Sequence, residues 1–262
     1  IAVAEACRNV TCTGAEPVAL TDCLNFGNPE RPGVYYQLEE CIRGMAEACG
    51  VLGVPVISGN VSLYNEARGE PIYPTPVVGM LGLLEDLQHV CNMGFRDTGD
   101  VVVLLGGKDG EVGLGGSEYL EVVHGMVAGR PRLDLDMEKR VQECCLFLIQ
   151  SSLVKSAHDC SLGGLAVALA LCGIRGGIGF EGRLGGDMRW DGLLFGEGQS
   201  RIVLSMQPDN LEAVKEAASR TGVSLKRLGM VRRDRFVIEG LVDLPLADMA
   251  STWSQGLSRA LE

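Results

Sequence analysis

The stretch "GVYYQLEECIRGMAEACGVLG", residues 33–53, constrains the fold more than any other part of the chain. Val34, Leu38, Cys41, Ile42, Met45, Cys49 and Leu52 recur at helical spacing, so one apolar stripe must be covered. Gly50 and Gly53 supply the stop. This helix lies between two strand candidates, Pro17–Thr21 and Val54–Ser58. A helix over residues 1–10 precedes them, and a strand over Val77–Leu84 follows. The pattern weakens over residues 85–99, which marks a boundary between two lobes. It resumes with strands at Val101–Leu105 and in "SRIVLSM", a helix from Asp136 to about Ser156, and a helix in "PDNLEAVKEAASRTG" with Asp209 or Asn210 as its cap. The strands of "SLKRLGMV" and "RFVIEG" close the pattern. Strands alternating with helices predict an α/β or α+β architecture in two lobes, residues 1–95 and 96–262.

Composition narrows the function. The chain has 262 residues, of which 46% are apolar, enough for a real core. Its 34 acidic and 23 basic residues give a net charge of −11, which argues against nucleic acid as the main partner. No run of about 18 apolar residues suggests a membrane span. Six of the 10 cysteines, among them Cys7, Cys41 and Cys172, sit in apolar, helix-like patterns, and no C-x-x-C pair occurs. Buried free thiols in a cytosolic protein are the expectation. The chain begins inside a helical pattern, which suggests a piece of something longer.

Four places gather polar residues at element ends. In "VPVISGNVSLYNEARG" (54–69) an apolar run breaks into Ser58, Gly59, Asn60, Ser62, Tyr64, Asn65 and Glu66. A glycine admits phosphate close to the backbone. An amide oxygen on Asn60 can join an Mg²⁺ shell, and the Ser62 hydroxyl can bond a substrate oxygen. Asp22, in "TDCLNFGNPE", adds charge to that shell if its loop lies alongside. The same residues also build ordinary capped turns, which is the better reading of this stretch taken alone. "GLGGSEYL" (113–120) leads glycines into a helix start but lacks a Walker ending, so a structural turn is the better reading. In "HDCSLGG" Asp159 and Ser161 precede a helix, where anions or metals bind or where Ser161 simply caps. Glu5 and Asn9 lie one helical turn apart and could reach one metal, though a solvated face is commoner. Three histidines without triad or zinc spacing make hydrolase and zinc-enzyme readings poor.

Taken together, "ALTDCLNFGNPERP", "GNVSLYNE", "IYPTPVVGMLGLLED", "GLGGSEYL", "HDCSLGGLAVALAL" and "LLFGEGQSRIVLS" resemble the C-terminal half of phosphoribosylformylglycinamidine synthases of the small synthetase-subunit type, across essentially the whole chain. The wider superfamily includes aminoimidazole ribonucleotide synthetase, selenophosphate synthetase and thiamine-phosphate kinase, and "TDCLNFGNPE" argues against the kinase. The resemblance implies an ATP-dependent C–N ligase of purine biosynthesis. ATP phosphorylates the formyl amide oxygen of formylglycinamide ribonucleotide, and ammonia from a separate glutaminase subunit displaces phosphate. A small accessory subunit joins the two.

The resemblance also implies roles for residues: ATP contacts at Asp22 and Gly59, Mg²⁺ at Asn60 and substrate at Ser62. A second nucleotide–metal site would use Glu5, Asn9 and Asp159 for metal and Ser161 for nucleotide. No catalytic residue is carried over, because the family's catalytic histidines and lysine lie in the half not represented here. A second reading is therefore a structural nucleotide–Mg²⁺-binding half that docks partner subunits. The fold implied is a ferredoxin-like, barrel-forming N-terminal lobe, missing its first strand, beside a layered α/β C-terminal lobe. Without its partner half such a lobe should self-associate, as a homodimer for instance, or expose an apolar sheet face. Leu162 stands where the family usually has an acidic residue, and Gly198 interrupts its usual E-S-Q-S-R.

Overall fold

The computed structural model describes residues 1–107, 113–185 and 188–261. Helix α1 (Ala2–Cys12) buries Val3, Ala4, Cys7, Arg8 and Thr11. Strand β1 (Glu16–Asn25), helix α2 (Pro32–Leu52), strand β2 (Val56–Ser62), a short hairpin of β3 (Glu66–Ala67) with β4 (Glu70–Pro71), and β5 (Thr75–Leu83) follow. Pro32 opens α2, where its missing N–H costs nothing. Gly53 closes it in the left-handed region at φ 74°, its N–H returning to the Cys49 carbonyl.

These strands form a three-stranded sheet in the order β2-β1-β5, with β1 parallel to β2 and antiparallel to β5. One face carries the helices. Leu20 packs with Val3, Cys7, Ala48 and Val54, and Leu24 with Phe26 and Val34. No described element covers the other face. Along β5, Val77, Leu81 and Leu83 are all more than half exposed, at 53%, 51% and 52%, while Val78 and Met80, on the alternate side, pack against the helices. An exposed, partly apolar sheet face is therefore present.

The second lobe runs through β6 (Val101–Gly106), α3 (Glu118–His124), α4 (Leu135–Gln150), β7 (Ser156–Asp159), α5 (Gly164–Gly176), β8 (Gly179–Gly182), α6 (Trp190–Phe195), β9 (Arg201–Met206), α7 (Leu211–Arg220), β10 (Leu225–Arg232), β11 (Arg235–Ile238), β12 (Val242–Pro245) and α8 (Leu246–Leu261). Its seven-stranded sheet has the order β12-β11-β8-β10-β6-β9-β7. Every residue of β6 and β9 is buried because helices cover both faces. Val101, Val103 and Leu105 meet α4 and α7 through Val141, Leu148 and Val214. Val102 and Leu104 meet α5 through Leu165 and Leu169.

Several elements differ from the sequence expectation. Strand β1 runs on to Asn25, and β2 begins after Val54 and runs on to Ser62, so Asp22, Asn25, Ser58, Asn60 and Ser62 lie within strands, while Tyr64 and Asn65 lie beyond β2. An edge strand facing solvent needs no apolar alternation. Helix α4 starts at Leu135 and ends at Gln150, because Ser152 turns into the left-handed region at φ 55°. Asn210 stands at the cap of α7 without capping it; its amide donates to the Leu153 carbonyl at 3.0 Å. The cap of α5 is Gly163, not Ser161. All ten thiols are free. Seven are buried, and Cys23, Cys41 and Cys49 are half-buried.

Candidate functional site

The register of β1 against β2 assembles the first site. Thr21 stands opposite Ser58, Asp22 opposite Gly59, Cys23 opposite Asn60 and Asn25 opposite Ser62. Side chains alternate between the faces of a strand. Asp22 therefore shares the helix-side face with Leu20 and Leu24. A Cβ added to Gly59 would lie 2.4 Å from the Asp22 Oδ1 atom, so the glycine makes room for that carboxylate. The open face carries the rest. Ser58 donates to Thr21 Oγ1 at 2.7 Å, and Asn60 Nδ2 donates to the Cys23 sulfur at 3.8 Å. Ser62 Oγ lies 3.1 Å from the Asn65 amide nitrogen, which also donates to the Phe26 carbonyl.

The structure thus brings Asp22 to Gly59 and sets Asn60 and Ser62 on one strand, but on opposite sides of the sheet from Asp22. The expectation that Asp22 adds charge to the Asn60 shell does not hold, because the two residues occupy adjacent rather than alternate positions in the paired strands. Among the described residues no group of three or more His, Cys, Asp or Glu comes together to hold a metal. Asn60 fits Mg²⁺ as the donor of one neutral oxygen, with the charged ligands still to be supplied from elsewhere.

The second cluster joins the lobes. Arg8 is fully buried; its Nη1 lies 2.7 Å from Glu138 Oε1, its Nη2 donates to Gln199 at 3.2 Å, and its Nε is 3.9 Å from Asp159 Oδ2. Glu138 also accepts from Ser200 at 2.5 Å and from Gln142 at 2.7 Å. Arg8 Nε, Asp159 Oδ2 and the Thr11 hydroxyl are buried without a hydrogen-bond partner among the described residues. Oxygen donors and an orphaned carboxylate oxygen suit a hard cation in type. Asn9, however, is exposed, and Asp159 already faces a guanidinium. Leu162 points outward, 65% exposed. Ser161 contributes its carbonyl to the Gly164 N–H. His158 lies beside Asp159, with burial lowering its pKa.

Burial raises the pKa of the Glu5 carboxyl above its ordinary 4.5; Arg8 opposes the rise, while Asp159 and Glu197 add to it. Below pH 4.5 the folded and unfolded chains are both protonated there, and Glu5 has no effect on stability. As pH rises through the folded value, the buried charge forms and stability is lost. Glu5→Gln is therefore more stable than the parent at pH 7 and indistinguishable from it near pH 4. Urea unfolding at the two pH values checks this, and an equal difference at both overturns it.

Sequence reading did not single out Arg8, Glu138, Cys23 or Glu197. Arg8 left a signal, a charge on the apolar stripe of α1 beside Ala4, Cys7 and Thr11. Glu197 left none. One of its carboxylate oxygens accepts the backbone N–H of Glu118 at 2.9 Å and of Gly163 at 2.8 Å, tying "GLGGSEYL" to "HDCSLGG". In the former, Ser117 caps α3, so the run acts as a structural turn; the preceding residues 109–112 of the glycine-rich stretch lie outside the described residues. Gly198 gives its carbonyl to the buried Arg201 at 2.8 Å.

The chain belongs to the AIR synthase related family: residues 1–84 match its N-terminal domain and residues 97–239 its C-terminal domain. Within that family it is similar to phosphoribosylformylglycinamidine synthase subunit PurL. It is 47% identical over 271 residues to that of Anaeromyxobacter dehalogenans, covering 99% of this chain. It is 51% identical over 261 residues to that of Thermomicrobium roseum, covering 98%. In both comparisons the chain spans 35% of the relative's length. Among solved structures, Thermotoga maritima PurL complexed with FGAR matches with a TM-score of 0.76 at 22% identity, over 95% of this chain and 42% of that one. Hydrogenase maturation protein HypE matches at 0.67 and 16% identity, over 94% of this chain and 80% of that one. The fold is thus the mixed α/β, two-domain AIR synthase-like fold.

Proposed function

We propose that this chain is the C-terminal part of a phosphoribosylformylglycinamidine synthase. It would serve the ATP-dependent conversion of formylglycinamide ribonucleotide to the amidine, with ammonia from a glutaminase subunit joined through a small accessory subunit. One observation carries the reading. A chain alike to PurL subunits over 98–99% of its length seats Asp22 against Gly59 and holds Asn60 and Ser62 on one open strand. An amide oxygen leaves poorly until it is phosphorylated, so the work of the protein is to place two anionic ligands. On this reading Asp22 and the bare backbone at Gly59 orient ATP, Ser62 bonds the substrate and Asn60 holds Mg²⁺. The ion, when bound, would screen the phosphate charge of a ligand on the open face, the side of the sheet opposite the Asp22 carboxylate. The lobes would divide near residue 95, and the open face of β1, β2 and β5 would pair with the like lobe of the N-terminal half. Location in the cytoplasm belongs to the same reading; no helix among the described residues is long and apolar enough to cross a membrane.

The chain alone should be inactive. Supplying the remaining two thirds in trans should give ammonia-dependent ADP release, and a well-folded pair that releases none would reject the proposal. The orphaned Asp159 oxygen and the raised Glu5 pKa favour one second reading, a structural nucleotide–Mg²⁺ site that docks partner subunits. Calorimetry separates the two: Asn60→Ala weakens ADP–Mg²⁺ binding on the first reading, Asp159→Ala on the second.

A further inference from the structure

The open face of the first sheet places one thiol between two carboxamides. Cys23 stands directly opposite Asn60 in the parallel register, and Asn25 follows it on the same side of β1. Asn60 donates to the Cys23 sulfur at 3.8 Å and Asn25 to the same sulfur at 3.6 Å, while Asn25 also reaches the Cys23 and Thr75 carbonyls at 3.3 Å. A carboxamide has one donating and one accepting end. With both N–H ends turned to sulfur, both Oδ1 atoms face away from it, and neither has a hydrogen-bond partner among the described residues. A thiol suits this task. Its sulfur accepts, though weakly, and it is the acceptor that both amides share.

The geometry points to Cys23 as a positioning residue that fixes the Asn60 amide with its oxygen presented to a divalent cation. This inference rests on the reading of Asn60 as an Mg²⁺ ligand. Residues that hold a ligand in orientation commonly change metal affinity by about 10-fold or more when removed.

The test uses the complete synthetase carrying this chain, with Mn²⁺ binding in the presence of ADP followed by electron paramagnetic resonance. Cys23→Val keeps the shape of a small strand residue and removes the acceptor, while Cys23→Thr has nearly the shape of valine and restores one. Cys23→Val should weaken Mn²⁺ binding about 10-fold, and Cys23→Thr should recover to within about twofold of the parent. ADP binding without metal should stay the same in both. Equal Mn²⁺ affinities for the Val and Thr variants would reduce Cys23 to packing and overturn the inference. Asn60→Ala keeps the two ideas apart. If it weakens Mn²⁺ binding and Cys23→Val does not, only the positioning role fails. If Asn60→Ala itself leaves Mn²⁺ binding unchanged, the ligand reading fails first.

Discussion

Arg8→Met should unfold with a loss of about 3–5 kcal/mol, the range for breaking a buried ion pair from one side. The guanidinium is fully buried, and its charge survives there because Glu138 and Asp159 outweigh the burial that opposes it. Methionine fills similar space but takes the guanidinium away from the buried Glu138 side chain, to which Ser200 and Gln142 still donate. For a chain of this size the melting temperature should fall on the order of 10 °C. Arg8→Met with Glu138→Leu removes both charges and should recover much of the loss. Urea unfolding of the single and double variants checks this; a single variant within about 1 kcal/mol of the parent would sink it. The effect is large because the pair joins α1 of the first lobe to α4 of the second. Fluorescence and circular dichroism should be followed together, since losing the pin can separate the two transitions.

Gly59→Ala should behave in the opposite way, costing little stability and much affinity. The added Cβ would lie 2.4 Å from Asp22 Oδ1 and 3.0 Å from its Cγ, so the carboxylate must swing away. That carboxylate is the end of a side chain beside solvent, and moving it should cost under about 1 kcal/mol. On the proposed function, though, Asp22 and the bare Gly59 backbone are the nucleotide contacts. Losing a charged hydrogen bond there is worth about 1.5–3 kcal/mol, or roughly 10- to 150-fold in ATP affinity. Calorimetric titration of the complete synthetase, with a melting curve of the same preparation, reads both quantities. Unchanged ATP affinity in a protein whose Asp22 has moved would remove these two residues from the nucleotide site.

The sequence made the larger elements legible where local chemistry and packing agree. Helix α2 was readable to within a residue at either end because Pro32 and Gly53 punctuate it and its stripe, apart from the exposed Ile42, faces the sheet. Strands β6 and β9 were readable because strands covered on both faces are continuously apolar. Strand β2 misled beyond Ser58 because an uncovered edge tolerates Gly59, Asn60 and Ser62. Helix α4 was overextended because Leu153 and Val154 prolong its apolar pattern, and the left-handed Ser152 carries no glycine-like signal. Strand β7 and helix α6 are too short to show a period.

The candidate site was legible as a set of residue types and not as an arrangement. The irregularity in register between Leu20 and Thr21 fixes which side chains face which way, so Asp22 and Asn60 fall on opposite sides for reasons no short motif reveals. Arg8 and Glu138 are 130 residues apart, and only the packing of one lobe on the other makes them partners.

The distribution of sulfur carries a practical consequence. The three half-buried thiols, Cys23, Cys41 and Cys49, all belong to the first lobe, and every cysteine of the second lobe is enclosed. Desolvation pushes Cys91 and Cys160 up to about 11, so the deeper thiols are protonated as well as hidden. A fluorophore or spin label attached through maleimide would therefore report the motions of one half of the molecule while the other stays dark.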